Sequence, residues 1–394
     1  MAFLDIQTTA AIIFLILLTI FVYFKKENMT TQKILYPLFY LSMYRTKFGL
    51  KLMDSASRHK KIMKFLGYAG VVVGFLGMVF IAFILVSSTF DLFTNPNAKP
   101  SVGPVLPFKG KGIFFVPFFY WIISILIIAF VHEFSHGVIT RTHNIKVKSS
   151  GFAFFSIFIP IIPLAFVEPD EKEIPKRPLM QQLSVFAAGP FSNFITGALC
   201  VLLLIGVLYA SSSFVHPNGI KIVGYTNDKG IVYPAEKYKL EGQIIKSIDD
   251  QRTLSLDRLS KILGTQKPGN KIKLETNKET YSLILAQHPE NSTRAYLGAS
   301  LEPTGLIYGI NKSSSDFIIR VISWIITLLN FMYILNLGVG LFNLVPLGPL
   351  DGGRMIKPIF QKIFNEKSDK AFGLISLLFI ALIFINLVFA FVKA

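Results

Sequence analysis

The sequence predicts a polytopic α-helical membrane protein of about six transmembrane helices, with a re-entrant β-hairpin and a small α+β extracytoplasmic domain. Of its 394 residues, 52% are hydrophobic, and the mean hydropathy is +0.54. Several apolar runs reach the ~20 residues that a helix needs to cross a bilayer. The candidate spans are residues 8–24, 65–88, 112–140, 180–210, 315–345 and 371–392.

The chain is strongly basic, with a formal net charge of +17. Lys and Arg cluster at the ends of the apolar runs, as they do on cytoplasmic flanks of membrane spans, and they form no nucleic-acid-binding motif. We therefore expect a lipid bilayer as a partner and no nucleic acid. Cys200 is the single cysteine, which excludes an intramolecular disulfide and a cysteine-based metal site. Any metal must be held by His and carboxylates.

The distribution of Lys and Arg also predicts the topology of a multi-pass protein of the cell membrane. Lys25 and Lys26 follow the first apolar run, which has no basic segment before it, so we expect a retained span rather than a secretory signal. The basic linker after it is then cytoplasmic, the third span runs inward, and the polar stretch 211–314 lies outside. Within the linker, residues 30–64 are consistent with an interfacial helix or with a solvated linker.

The segment 150–168 is apolar but short for a span, and Gly151, Pro160 and Pro163 interrupt any helix there. Its aromatic and β-branched residues predict a re-entrant strand pair or loop, which is tolerated at membrane depth only against protein or a wet cavity. A seventh, kinked span is the alternative.

The polar stretch between the fourth and fifth spans has the pattern of a small α+β domain. Residues 220–225 and 243–248 alternate like strands, and 256–263 has the pattern of a short helix. A turn at 267–270 separates further strands at 271–276 and 280–286. We thus divide the chain into N-terminal spans with a basic linker (1–111), the first half of a membrane core (112–211), the extracytoplasmic domain (212–314), and the second half of the core with the last span (315–394).

A metal-ligand motif lies at the polar end of the third span, in His132-Glu133-Phe134-Ser135-His136. Two His at i and i+4 fall on one face of a helix and reach one metal, and the Glu between them is placed to act as general base. Ionisable side chains within a membrane are rare and usually functional. The motif therefore predicts a metal site near the cytoplasmic face.

Asp351 is the best candidate for a third ligand, because the charge distribution places it on the same membrane side as the two His. Pro346 and Pro349 break the helix before it, and glycines at 352 and 353 allow close backbone approach. From spacing alone, an alternative role stays open, in which Asp351 caps a helix at 353–364.

A further cluster lies in the inner half of the fourth span, at Gly189-Pro190-Phe191-Ser192-Asn193. Helix packing explains the small residues, whereas a mid-span Asn193 could donate to a substrate carbonyl or to a developing oxyanion. We assign no role to the remaining histidines. His143 lies in a basic tail, and His59, His216 and His288 lie in polar segments and are expected at the surface.

Together these motifs resemble the site-2 protease family of zinc-dependent intramembrane metalloproteases. The match consists of H-E-x-x-H at 132–136, G-P-x-x-N at 189–193 and N-x-x-P-x-x-x-L-D-G-G at 343–353. The resemblance implies one zinc per chain held by His132, His136 and Asp351, with Glu133 as catalytic base. It also implies that Asn193 and Asn343 lie near the substrate path and that 150–168 is a re-entrant β-hairpin. The implied substrates are transmembrane helices of single-pass proteins.

The extracytoplasmic domain resembles a PDZ module, because residues 240–248 are similar to its G-D-x-I-x-x-I stretch, with Gln243 where Asp is usual. Two roles stay open for this domain: it binds peptides, or it acts as a steric gate for substrates. Two other classes of function are weighed against the protease: a non-catalytic scaffold or receptor that uses this domain, and a zinc transporter.

Overall fold

The computed structural model describes residues 6–35, 39–96, 98–226, 230–289, 291–307 and 312–393. The chain forms two compact units, one of Met1–Leu204 with Thr327–Ala394 and one of Ile205–Ile326. Ten α-helices lie in the described residues: α1 Ile6–Lys25, α2 Leu50–Ser57, α3 Lys60–Thr94, α4 Phe118–Thr142, α5 Leu179–Ser212, α6 Pro234–Lys237, α7 Leu256–Gly264, α8 Lys312–Asn343, α9 Asp351–Phe364 and α10 Ser368–Lys393.

Six helical segments of the described chain are long and apolar enough to cross a membrane. They correspond to α1, α3, α4, α5, α8 and the α9–α10 segment, which confirms the predicted polytopic helical architecture. The third span begins later than predicted, at Phe118 instead of residue 112, because Pro117 favours extended backbone in the residue before it. Within residues 112–117, which were predicted as part of this span, Phe114–Phe115 form strand β4, and β4 pairs with β3 (Val105–Leu106).

A four-stranded antiparallel sheet belongs to the membrane unit. Its strands are β1 (Met29–Leu35), β2 (Phe39–Thr46), β5 (Val147–Ile157) and β6 (Ile159–Pro169), in the order β1-β2-β5-β6. Residues 30–64 therefore contain two strands, which neither sequence interpretation predicted. A helix is present in this segment as α2 (Leu50–Ser57), and its interfacial position stays a prediction. Strand β2 covers the edge that β5 would otherwise expose, and this pairing between distant segments has no local sequence signal.

The strand pair expected at 150–168 is present as β5 and β6, and the alternative of a seventh kinked span is wrong. Its re-entrant position in the membrane stays a prediction. Gly151 is required where β5 meets β2, because a Cβ there would lie 2.0 Å from the Tyr44 carbonyl oxygen. Glu168 of β6 accepts hydrogen bonds from Arg45 of β2 at 2.9 Å and from Ser149 of β5 at 2.7 Å, which ties three strands together.

Helices α5 and α8 pack through two reciprocal Asn–Gly contacts. A Cβ added to Gly340 of α8 would lie 3.3 Å from the Asn193 Cβ, and one added to Gly197 of α5 would lie 3.6 Å from the Asn336 Cβ. Small residues let helices approach closely in a membrane. These contacts set the register of α8 against α5, and hence the position of the turn that follows α8.

The second unit contains the predicted α+β domain. Its sheet has the order β11-β10-β8-β7-β14, with β9 paired to β8, and a separate β12-β13 hairpin. Apolar residues such as Ile220, Ile245 and Leu274 are fully buried in its core. The long pairing of β7 with β14 was not predicted, because its partners lie far apart in sequence. The strands are β7 Val215–Tyr225, β8 Ile244–Ile248, β9 Gln251–Arg252, β10 Lys271–Thr276, β11 Thr280–Ile284, β12 Ala286–His288, β13 Asn291–Tyr296 and β14 Ala299–Ile307.

Candidate metal centre

Helix α4 presents two imidazoles side by side. His132 and His136 are one turn apart, and their Nε2 atoms lie 3.2 Å from each other. His132 is 8% exposed. The Met53 side chain of α2 packs against Gly137, the residue after His136. The i, i+4 spacing therefore produces the shared face that the sequence predicts.

Asp351 reaches the same point from the first turn of α9. Its Oδ2 lies 3.0 Å from Nε2 of His132 and 3.3 Å from Nε2 of His136. The alternative in which Asp351 caps a helix is wrong, because Leu350 is the N-cap residue and no side chain caps this helix. Gly352 and Gly353 allow the tight turn, since a Cβ at either position would lie 2.1 or 2.2 Å from a carbonyl oxygen.

The three side chains fit a zinc ion. Ligand atoms of a tetrahedral zinc site lie about 3.3 Å apart, given metal–ligand distances of ~2.0 Å, and the three atoms here are separated by 3.0 to 3.3 Å. Gly189 of α5 leaves the space open, because a Cβ there would lie 2.3 Å from Nε2 of His136 and 2.5 Å from Nε2 of His132. In the described part of the chain, this is the one cluster of three or more potential metal ligands.

Hydrogen bonds from α5 to the Nδ1 atoms orient both imidazoles, on the side opposite the Nε2 atoms. Nδ1 of His136 lies 2.6 Å from the Val185 carbonyl oxygen, so it must donate, and its Nε2 then carries a free lone pair. Nδ1 of His132 lies 3.0 Å from Nδ2 of Asn193, whose Oδ1 is buried without a partner among the described residues. A flip of the amide brings Oδ1 to Nδ1–H and leaves Nε2 of His132 free to bind metal.

Glu133 points from α4 toward strand β6. Its Oε2 accepts a hydrogen bond from the Val167 backbone N–H at 3.1 Å. A small cavity adjoins this contact, lined by Phe130 and Phe134 of α4, by Met53 of α2, and by residues 165–167 of β6. The carboxylate thus lies beside the candidate ligands and at the edge of the sheet.

The other sequence candidates occupy different places. Asn343 ends α8, half-buried, and hydrogen-bonds to none of the three candidate ligands among the described residues. His59 is exposed and His288 is half-buried, whereas the side chain of His216 lies outside the described residues.

His143 is a buried residue that sequence reasoning did not identify. Its Nε2 lies 2.8 Å from the Ser184 hydroxyl, and its ring stacks on Tyr68. Burial, together with the charges of Lys64 and Arg177, lowers the pKa of His143 to about 4. Ser184 directly precedes Val185, so two adjacent residues of α5 contact His136 of α4 and His143, the residue that follows α4.

Six apolar helices and a buried His-His-carboxylate cluster with an adjacent Glu define a membrane zinc metalloprotease. Residues 120–387 match the sequence model of peptidase family M50. This match spans more than half of the chain, and the protein belongs to this family, that of the site-2 proteases.

Several relatives extend over much of the chain. An uncharacterised protein of Methanocaldococcus jannaschii is 26% identical over 328 residues, covering 83% of this chain and 79% of its own. A Clostridium perfringens protein named as a zinc metalloprotease is 24% identical over 275 residues, covering 60% of this chain and 81% of its own. The regulator of sigma-W protease RasP of Bacillus subtilis is 22% identical over 263 residues, covering 55% of this chain and 60% of its own.

One solved structure is similar to part of the chain, the PDZ domain of an SdrC-like protein from Listeria monocytogenes. It shares 18% sequence identity, covers 21% of this chain and 87% of its own, and has a TM-score of 0.19. A score of this size establishes no common fold, so the PDZ-like assignment rests on residues 240–248.

Proposed function

We propose that this protein cleaves peptide bonds within the transmembrane segments of single-pass membrane proteins. In this proposal, zinc is held by His132, His136 and Asp351, and Glu133 is the general base. The observation that carries it is the convergence of three ligand atoms, 3.0 to 3.3 Å apart, on a glycine-lined space next to a Glu. The Bacillus subtilis relative is named regulator of sigma-W protease, and this name supports a role for the present protein in regulated intramembrane proteolysis.

The chemistry is hydrolysis of an amide bond. When bound, zinc supplies a Lewis acid that makes water a stronger nucleophile at neutral pH and polarises a carbonyl group. Glu133 accepts the proton of the attacking water, whose oxygen forms a bond to the carbonyl carbon. As the C–N bond breaks, Glu133 returns this proton to the leaving amine nitrogen. Asn193 and the Val185 carbonyl keep the two imidazoles oriented throughout.

A helical substrate must first expose its carbonyls, since a membrane helix keeps them in internal hydrogen bonds. Strand β6 is the last strand of its sheet, and Glu133 contacts it through Val167. This arrangement supports addition of an unwound substrate segment to β6, as in other complexes formed by strand addition.

The proposed topology follows the distribution of basic residues. Lys and Arg after the first, third and fifth spans place the metal centre toward the cytoplasm and the PDZ-like domain outside. Water then reaches the centre from the cytoplasmic side. The PDZ-like domain binds a peptide or acts as a steric gate for bulky substrates.

The test compares wild-type protein with Glu133→Gln on a synthetic single-span peptide that has a Leu/Ala core and a central helix-breaking Asn-Pro pair. Products are identified by mass spectrometry, and zinc content is measured in parallel. We expect Glu133→Gln to retain zinc and lose cleavage. Glu173→Gln, which changes a half-buried carboxylate paired with Lys176, should cleave normally. Cleavage by Glu133→Gln would remove Glu133 as the base.

The same measurements separate the two other classes of function. A scaffold or receptor would show neither zinc nor cleavage. A transporter would bind zinc without cleavage, and it would need ligands along a path, whereas the described residues contain one ligand cluster.

A further inference from the structure

The outer edge of β6, defined as the edge opposite β5, carries backbone groups of alternate residues only. In an antiparallel pair, successive residues turn their N–H and C=O groups alternately toward the partner strand and away from it. The Val167 N–H bonds to Glu133 at 3.1 Å, so Val167 faces outward. Its pairing with Ser150 is therefore the non-hydrogen-bonded kind.

The ladder keeps this alternation over several residues. Ala165 pairs with Phe152 and Pro163 pairs with Phe154, without a register shift between them and Val167. Ala165 and Pro163 thus face outward as well. A proline at an outward position is the expected arrangement, because a central strand would lose a ladder hydrogen bond there.

This edge is poor in donors. Pro163 has no N–H, Pro169 has none either, and the Val167 N–H is already bonded to Glu133. Beyond Pro163, a bulge interrupts the ladder at Ile161. Between that bulge and Pro169, Ala165 alone offers an outward N–H, and no side chain or loop of the described residues bonds to it.

We propose that Ala165 N–H is the single backbone donor through which β6 holds a substrate, bonding to one substrate carbonyl about two strand residues, or ~7 Å, from Glu133. This inference rests on the proposed protease function. The outward C=O groups of Pro163, Ala165 and Val167 can accept hydrogen bonds from substrate N–H groups, so Ala165 is the one position at which β6 bonds to a substrate carbonyl. The prolines also protect an apolar edge from pairing with other chains.

Two substitutions change the number of donors. Ala165→Pro removes the Ala165 N–H but leaves the β5 ladder intact, since that N–H faces away from β5. Ala165→Val keeps the backbone and is its matched control. Pro163→Ala adds a second outward donor. We expect kcat/KM to be about three- to tenfold lower for Ala165→Pro than for Ala165→Val, which has a larger side chain but keeps the N–H, and to rise for Pro163→Ala through a lower KM.

A scan of the substrate provides a readout that needs no variant. Thioamides, whose sulfur is a weaker acceptor, are introduced at successive positions of the synthetic single-span peptide described above. We expect one sensitive position away from the cut bond in wild-type protein, and a second one in Pro163→Ala. Zinc content and melting temperature verify that each variant is folded.

The outcomes separate this inference from the proposed function. If wild-type protein cleaves and Glu133→Gln does not, while a folded Ala165→Pro cleaves like Ala165→Val, the protease stands and the role of Ala165 is wrong. Sensitivity at several substrate positions in wild-type protein would also contradict a single donor. Absence of cleavage by wild-type protein would overturn the proposed function itself, and this inference with it.

Discussion

Oδ2 of Asp351 lies 3.0 Å from Nε2 of His132, although the whole α+β domain separates the two residues in the sequence. The contact joins helix α4 to the first residue of α9, directly after the turn that follows α8. The reciprocal packing of Asn193 on Gly340 and of Asn336 on Gly197 sets the register of α8. The metal centre is therefore a product of helix packing as much as of its ligands.

Replacing Asp351 with Ala should remove one of three zinc ligands. We expect the purified protein to contain much less than one zinc per chain, measured by metal analysis, and to lose proteolysis. Asp91→Ala, which removes an exposed carboxylate at the far end of α3, is the matched control and should retain zinc. Full zinc occupancy in Asp351→Ala would exclude it as a ligand.

Replacing Gly189 with Ala tests the shape of the site. The added methyl group would lie 2.3 Å from Nε2 of His136, in the space between the ligand atoms, so zinc should be lost although every ligand is present. Gly206→Ala on the same helix meets nothing within 4 Å and should bind zinc as the wild type does. Equal zinc content in the two variants would show that the centre lies elsewhere.

Replacing Asn193 with Ala tests the orientation of His132. Loss of the acceptor on its Nδ1 should weaken zinc affinity by about 10- to 100-fold, measured by competition with a chelator. Thr196→Val, on the same helix, removes a hydroxyl that bonds to the Ser192 backbone carbonyl and not to His132, and it should leave the affinity near the wild-type value. Unchanged zinc affinity together with a lower kcat in Asn193→Ala would instead favour the oxyanion role predicted from the sequence.

Acidification should destabilise the protein through His143. Its pKa is about 4 in the folded state and ~6.5 when unfolded, so between these values the unfolded chain binds more protons. The free energy of unfolding therefore decreases as pH falls from about 6.5 toward 4. Melting temperatures in detergent should decrease less on acidification for His143→Gln than for wild-type protein. The exposed control His59→Gln should behave like the wild type, and parallel curves for all three proteins would contradict this account.

Local sequence patterns predicted the six spans and the strand pair of the membrane unit. The six spans follow from apolar run length, and the strand pair at 150–168 follows from Gly151, Pro160 and Pro163, which exclude a helix. The β1 and β2 strands were not predicted, because β2 is defined by its pairing with the distant β5 and β1 by its pairing with β2, rather than by their own composition. His143 was misjudged because its neighbours in sequence are basic, whereas its neighbours in space, Ser184 and Tyr68, come from other helices.

By itself, the sequence determined the class of this protein: spans of bilayer length, a metal motif within one of them, and a third ligand identified through family resemblance. Only the tertiary structure decided what surrounds the candidate ligands. It placed Asn193 on His132, Gly189 in the space between the ligand atoms, and Glu133 on Val167 at the edge of β6. Hydrophobic periodicity reports which side of an element is buried, but contacts between distant segments depend on helix register and strand pairing, which arise only when the chain packs.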